Sequence, residues 1–162
     1  MIQKSDAAGR RIALFPGSFN PFTRGHESLV TRALSMCDGV TIAIGINIEK
    51  KDADTESRVR AIRDLYAGDP RIDVVTYSEL TGELAKRLGC AFILRGVRNT
   101  ADFEYEMNMA DTNRRLFGIE TVLLPTLPEL TWISSSTARE LERFGHDVSE
   151  LLPSGSTPSH TK

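Results

Sequence analysis

RIALFPGSFNPFTRGH, residues 11–26, decides how this chain is read. RIALF is short and nearly continuous in apolar character, which suits a strand covered on both faces. PGSFNPFTRGH is dense in turn-forming residues and ends where a helix begins, at about Gly25 or His26. Strand, turn and helix in that order form one unit of a parallel α/β sheet. The helix start offers unpaired N–H groups and a positive dipole end, Gly17 and Gly25 let backbone approach a ligand, and His26 in the first turn can aim a donor at an anion. A lone Gly-His at such a place reads as a plain capping histidine. The conjunction of PGSFNP with TRGH directly after the first strand points to phosphate instead. The spacing matches neither GxxxxGK[ST] nor GxGxxG, so it is not a P-loop or a dinucleotide fingerprint.

The same alternation continues outward. VTIAIGI (40–46), IDVVT (72–76), AFIL (91–94) and TVLL (121–124) are further short apolar runs, each expected to be a strand covered on both faces. Segments of helical period fill the gaps. Leu29, Val30, Ala33, Leu34 and Cys37 form one stripe, and Thr55 is placed to N-cap a helix that buries Val59, Ile62, Leu65 and Tyr66. A shorter helix is expected over 81–88. Another, over 101–117, sets Phe103, Met107, Ala110 and Phe117 on one side and closes at Gly118, and the last covers about 134–144. The prediction is a five-stranded, doubly wound, Rossmann-like parallel sheet in a single domain over 1–162, folded from about residue 10 to 153 with polar tails. In such a sheet ligands bind beyond the carboxyl ends of the strands, so the loops there carry the chemistry.

Those loops are rich in anion-binding groups. NIEKKDADTE (47–56) carries Lys50 and Lys51; alone the pair reads as a solvated face, but at a strand's carboxyl end one of them is a candidate phosphate clamp. RGVRNTADFEYE (95–106) sets Arg95 and Arg98 three residues apart in a tight strand-to-helix turn, where a guanidinium must find an anion or water. Asp102 and Glu106, spaced i and i+4 on the helix that follows, offer an internal ion-pair network as the competing explanation. LPELTWISSSTARE (127–140) opens a helix with Ser134, Ser135 and Ser136, where an N-cap needs only one, and Arg139 lies a turn further on, a pattern suited to a polyphosphate. Trp132 is expected in the core on its size.

Composition narrows the alternatives. The 20 basic against 22 acidic residues give a net charge of −2, and no local basic stripe appears, so no nucleic-acid partner is expected. Apolar residues at 40% and charged residues at 26% are ordinary globular values, which argues against disorder. Cys37 and Cys90, far apart and without CxxC spacing, are expected as buried free thiols. No run reaches the ~18 apolar residues of a membrane span and the first residues lack the apolar stretch of a secretory signal, so a cytoplasmic protein is expected. Neither cysteine has a histidine near it in sequence, and His146 and His160 lie in or near the tail. The chemistry implied is positioning and charge stabilisation of phosphates, without covalent catalysis.

From Arg11 to about Pro153 the chain resembles the bacterial phosphopantetheine adenylyltransferases, nucleotidyltransferases with a (H/T)xGH signature. PGSFNPFTRGH, RGVRNTADFEYEMNMADTNR and WISSSTARE carry the likeness. RGxR followed by DFEYE is its specific part, and Thr23, standing where nicotinamide-mononucleotide and glycerol-phosphate relatives usually have a first histidine, points the same way. The resemblance implies transfer of an adenylyl group from MgATP to 4′-phosphopantetheine, giving dephospho-coenzyme A and pyrophosphate. It implies that His26 holds the α-phosphate, assisted by Lys50 and Arg98. Ser18 would meet the pantetheine phosphate while also lining the ATP site, where Phe19 would lie. Arg95, Lys50, Leu80 and Thr81 would serve the pantetheine side. Gly96, Val97, Glu106, Leu130, Thr131, Trp132, Ile133, Ser134, Ser135 and Ser136 would hold ATP. It further implies Mg²⁺ bound with ATP, a homohexamer, and feedback inhibition by coenzyme A. The alternatives are nucleotidyl transfer to another phosphorylated acceptor, such as nicotinamide mononucleotide or glycerol phosphate, and a regulatory module that binds ATP without turning it over.

Overall fold

A computed structural model describes residues 9–48 and 54–156. Five strands, β1 (Ile12–Gly17), β2 (Gly39–Gly45), β3 (Ile72–Tyr77), β4 (Phe92–Val97) and β5 (Thr121–Pro125), form one sheet in the order β3-β2-β1-β4-β5, parallel throughout. Helices α1 (Arg24–Ala33), α2 (Thr55–Leu65), α3 (Thr81–Arg87), α4 (Thr100–Phe117) and α5 (Ser135–Arg143) follow the strands in turn, with 3₁₀ turns at Pro128–Leu130 and Ser149–Leu151. The α/β architecture expected from the alternating apolar runs is present.

Successive side chains of a strand point to opposite faces, and the cores follow that period. Ala13 and Phe15 of β1 join Leu29, Val30 and Ala33 of α1 and Val59 and Ile62 of α2 on one side. Leu14 joins Leu84 and Ala85 of α3 and Ile93 of β4 on the other. Central β1 and β2 are covered on both faces, whereas β3 and β5 are the edges. Only Val74 of β3 is buried and β5 has no buried residue, so the expectation of two-sided cover fails for these two. Sequence composition does not distinguish an edge from a centre when both are rich in Val, Ile and Leu.

Three further expectations are corrected. Thr55 is the first residue of α2 and not its cap; Asp54 holds the cap position, and the Thr55 hydroxyl accepts from Arg58 Nη2 at 3.2 Å. Of the cysteines, Cys90 is buried, but Cys37 is only half-buried, its thiol donating to the Ala33 and Gly39 carbonyls at 3.2 Å each. On α4 the buried residues are Glu106 and Asn113, while Phe103 and Met107 are exposed at 47% and 48%. The helix turns a polar stripe inward because Arg95 of β4 waits there for a carboxylate.

Helices α3 and α4 meet where Gly82 lies beneath the Phe117 ring, and a Cβ at Gly82 would overlap ring atoms. Gly82→Ala is expected to lose net stability of up to about 2 kcal/mol. Overpacking costs about 1–3 kcal/mol, against about 1 kcal/mol regained from helix propensity. Urea melts of Gly82→Ala and of Gly82→Ala/Phe117→Leu check this; only the single variant should be weaker than the parent.

Pairing of β1 with β4 stops after Ala13↔Phe92 and Leu14↔Ile93, although β1 pairs with β2 over six positions. Strand order also reverses between β1 and β4. The two strands therefore part at their carboxyl ends, at the switch point where open α/β sheets bind ligands.

Candidate active site

A cavity of about 310 Å³ fills that parting, lined from β1 and its loop, the start of α1, the β4–α4 turn and the start of α5. Local sequence builds its first wall. Thr23 caps α1 reciprocally: its hydroxyl accepts from the His26 backbone N–H at 3.4 Å, and its own N–H donates to His26 Nδ1 at 3.0 Å. The capping and ligand readings of His26 are thus parts of one device. With Nδ1 accepting, the neutral ring carries its proton on Nε2. Phe15, Phe19 and Phe22 surround the imidazole with ring centroids at 6.0, 5.0 and 5.3 Å. Burial there, then the positive charges of Arg95 and Arg98, lower its pKa to about 4. Near neutral pH His26 is an uncharged hydrogen-bond donor held in one orientation.

The β4–α4 turn separates its two arginines by task. Arg95 grips Glu106 through Nε, 3.0 Å from both carboxylate oxygens, and Nη2, 2.8 Å from Oε1, while Nη1 donates to the Pro16 carbonyl at 2.7 Å. Arg98 donates to Asp102 Oδ2 from Nε at 3.0 Å and from its backbone N–H at 3.1 Å. Its two Nη groups have no hydrogen-bond partner among the described residues. The ion-pair network competing with the anion reading is therefore present, yet it leaves Arg98 with donors to spare. Gly96 between them is lean for a packing reason as well, since a Cβ there would stand 2.5 Å from Leu29 Cδ1.

At α5, Ser134 is the N-cap and accepts from the Thr137 N–H at 3.0 Å, which answers the one-serine requirement. Ser135 Oγ donates to the Pro21 carbonyl at 2.8 Å and so fastens this helix start to the β1–α1 loop. Backbone N–H groups of a first helical turn have no intrahelical acceptor, and the first turns of both α1 and α5 line this one cavity.

The structure brings Ser18, Phe19, His26, Arg95, Gly96 and Arg98 together there, with Glu106, Ile133, Ser134, Ser135 and Ser136. Val97 does not line it; its carbonyl accepts from the Thr126 N–H. Leu130 instead packs with Ile133, Ala138 and Leu151 in a small core beside α5, and the Thr131 hydroxyl donates to the Pro128 carbonyl. Trp132 is 53% exposed and outside the cavity, not in the core that its size suggests: Leu130 and Ile133, on either side of it, take the buried positions. A second cavity of about 160 Å³ adjoins the first, sharing Pro16, Gly17, Arg95 and Glu106 with it. Thr81 lines this second space, but Leu80 is 60% exposed and lines neither. Lys50 falls outside the described residues.

Sequence reading missed Tyr105, Met109 and Asn113 of α4, which line the second cavity. Their i, i+4, i+8 spacing was the available signal. It also missed Arg58, which no local pattern marks.

A family model for cytidylyltransferase-like proteins matches residues 14–141. A Phocaeicola vulgatus protein named phosphopantetheine adenylyltransferase is 54% identical over 90% of this chain and 97% of its own length. One of the same name from Porphyromonas gingivalis is 51% identical over 90% and 96%. Among solved structures, a Vibrio parahaemolyticus chain assigned as a nicotinate-nucleotide adenylyltransferase superposes with a TM-score of 0.58 at 20% identity, over 88% of this chain and 93% of that one, a likeness of fold. On sequence identity over nearly its whole length, this chain belongs to the phosphopantetheine adenylyltransferase family of cytidylyltransferase-like proteins.

Proposed function

We propose that the paired cavities carry out adenylyl transfer from MgATP to 4′-phosphopantetheine, releasing pyrophosphate and forming dephospho-coenzyme A. One observation carries the reading: two helix amino termini, a neutral donor histidine and an arginine with unused donors share one cavity that adjoins a second, smaller one. A phosphate monoester has its second pKa near 6, so the attacking oxygen is already ionised at neutral pH and no general base is needed. An imidazole whose Nδ1 is occupied and whose Nε2 bears the proton suits donation to a phosphate oxygen, not proton abstraction. The acceptor oxygen attacks the α-phosphorus in line; that P–O bond forms as the bond to the β-phosphate oxygen breaks, and pyrophosphate leaves. His26 Nε2–H and Arg98 meet the charge gathering on the α-phosphate, and the amides of Ser135 and Ser136 face the leaving phosphates. Lys50 takes its assisting role from the family resemblance.

The second cavity suits a slim amide-bearing arm, with Thr81, Tyr105 and Asn113 as polar partners and Met109 and Ile93 as apolar ones. Metal-binding side chains are a poor fit here: Asp102 and Glu106 are held by arginines, and no group of three or more His, Cys, Asp or Glu residues is placed to hold a metal among the described residues. Mg²⁺ is thus taken as part of the MgATP substrate, bound through its phosphates. Self-association is supported by the exposed Phe103 and Met107, neighbours on one face of α4, and its number, a homohexamer, is taken from the family resemblance. Coenzyme A, which joins a pantetheine arm to an adenine nucleotide, has the shape to span both cavities and act as feedback inhibitor. A cytoplasmic location agrees with the two free thiols, and none of the described helices is long and apolar enough to cross a membrane.

The test is pyrophosphate release from MgATP with each candidate acceptor in turn. Release with phosphopantetheine, and little with nicotinamide mononucleotide or glycerol phosphate, is expected. Preference for either of the others refutes the acceptor, and release with none of them makes the protein a nucleotide-binding module.

A further inference from the structure

The β1–α1 loop is held by its carbonyls. Pro16 accepts from Arg95 Nη1 at 2.7 Å, Ser18 from Arg58 Nη1 at 2.5 Å, Asn20 from Arg139 Nη1 at 2.5 Å and Pro21 from Ser135 Oγ at 2.8 Å. Four donors from three different elements thus converge on six residues. Between the two carbonyls held by Arg58 and Arg139 lies Phe19, only 2% exposed and at φ 47°, in the left-handed region that bulky residues avoid. Such a conformation persists only where its surroundings over-determine it. Here the ring is enclosed by Phe15, Phe22 and His26, and the backbone on either side is tied down by guanidiniums.

Arg58 is itself buried, only 8% exposed, in the first turn of α2, where a planar fork can serve two acceptors, Ser18 O and Thr55 Oγ1, at once. In a trans peptide the C=O and N–H point in opposite directions, so its hold on Ser18 also turns the Phe19 N–H away from α2. Arg139, one turn into α5, reaches the loop that leads into α1 and bonds the Ser136 hydroxyl at 3.4 Å on its way. Together with Ser135 it fixes the start of α5 relative to the start of α1.

We propose that Arg58 and Arg139 are positioning residues of the nucleotide site: by gripping the Ser18 and Asn20 carbonyls they hold Phe19 in place against His26 and set the separation of the two anion-binding helix starts. This rests on the adenylyltransferase reading for its kinetic consequence, though not for its structural one. Neither guanidinium needs to touch the nucleotide.

The experiment uses the full chain with Arg58→Lys, Arg58→Met, Arg139→Lys and Arg139→Met. It measures local hydrogen exchange, thermal midpoint, and KM for ATP and kcat for pyrophosphate release. In Arg139→Met, exchange should rise about tenfold in peptides covering 17–26 and not elsewhere, with KM for ATP up and kcat down by about tenfold each, as small misplacements of catalytic groups produce. The midpoint should hold, because that side chain is exposed. Lys variants should recover part of both effects, since a single ammonium replaces one bond of the fork. If buried Arg58→Met fails to fold, Arg139→Met decides. Unchanged loop exchange and kinetics in either folded Met variant overturns the proposal. So does a raised KM without a loosened loop, which would mark direct phosphate contact. A parent enzyme that releases no pyrophosphate refutes the adenylyltransferase reading alone, and the exchange measurement still judges the clamp.

Discussion

His26→Asn is expected to fold and bind ATP yet release pyrophosphate about 10²–10³-fold more slowly than the parent, the usual loss when one donor to a developing oxyanion is removed. The choice of asparagine matters. Its short amide can replace Nδ1 as the acceptor for the Thr23 N–H, so the capping contact and the start of α1 survive while the donor at Nε2 is gone. His26→Gln does the reverse: its longer amide places a donor near the Nε2 position and abandons the cap. If charge stabilisation by Nε2–H is the role of this residue, Gln should retain more kcat than Asn. Equal kcat in Asn and parent would remove His26 from the reaction.

The same residue has a signature in stability against pH. Its pKa is about 4 in the fold, below the ordinary imidazole value of 6.5. Between those values the unfolded chain binds a proton that the folded chain refuses, so stability is fully present above about 6.5 and is lost as pH falls toward 4, by up to about 1.4 kcal/mol per unit. Subtracting the His26→Asn urea-melt profile from that of the parent isolates this loss from the acid behaviour of the carboxylates. A difference profile flat over that window would mean the imidazole titrates normally, outside its ring of phenylalanines.

Arg95→Met should be the most destabilising of the site substitutions. Glu106 is 7% exposed, and deleting its partner leaves a buried carboxylate with nothing to balance it, at a cost of about 3–5 kcal/mol. The lower end applies, because 32% of the Arg95 side chain meets solvent, and for a chain of this size about 3 kcal/mol lowers the midpoint by about 6–12 °C. The loss should be recovered in Arg95→Met/Glu106→Leu, in which no charge is stranded. Activity should not be recovered, because Arg95 lines both cavities and holds the Pro16 carbonyl at their junction. Restored turnover in the double variant would reduce Arg95 to a structural counter-ion. A single variant as stable as the parent would show that Glu106 finds solvent or a proton at no cost.

The residues of the site divide by how far their partners lie along the chain. Thr23 with His26, Ser134 with Thr137 and Arg98 with Asp102 are pairs three or four residues apart, and the helix-start chemistry of all three motifs could be read from composition and order. Arg58 with Ser18, Arg139 with Asn20 and Arg95 with Pro16 are 40, 119 and 79 residues apart, and nothing local announces them. The misreading of α4 has the same origin. A stripe containing Phe103 and Met107 looked like the face to bury, but the neighbouring strand carries an arginine, and burying Glu106 against it left those apolar side chains outside. Trp132 lies outside although Leu130 and Ile133 beside it are buried, because size alone does not say which way a side chain points.

The amino-acid order alone therefore determined the five strands, the helices between them and three anion-seeking helix starts, because periodicity and capping are properties of neighbouring residues. Tertiary structure decided which of those starts share a cavity, which arginine is spent on a carboxylate and which keeps donors free, and that the ligand loop is held by remote guanidiniums. Each of these depends on charges and carbonyls that approach only when distant strands part at the switch point, and desolvation at that meeting place keeps His26 uncharged and strengthens the hydrogen bonds made there.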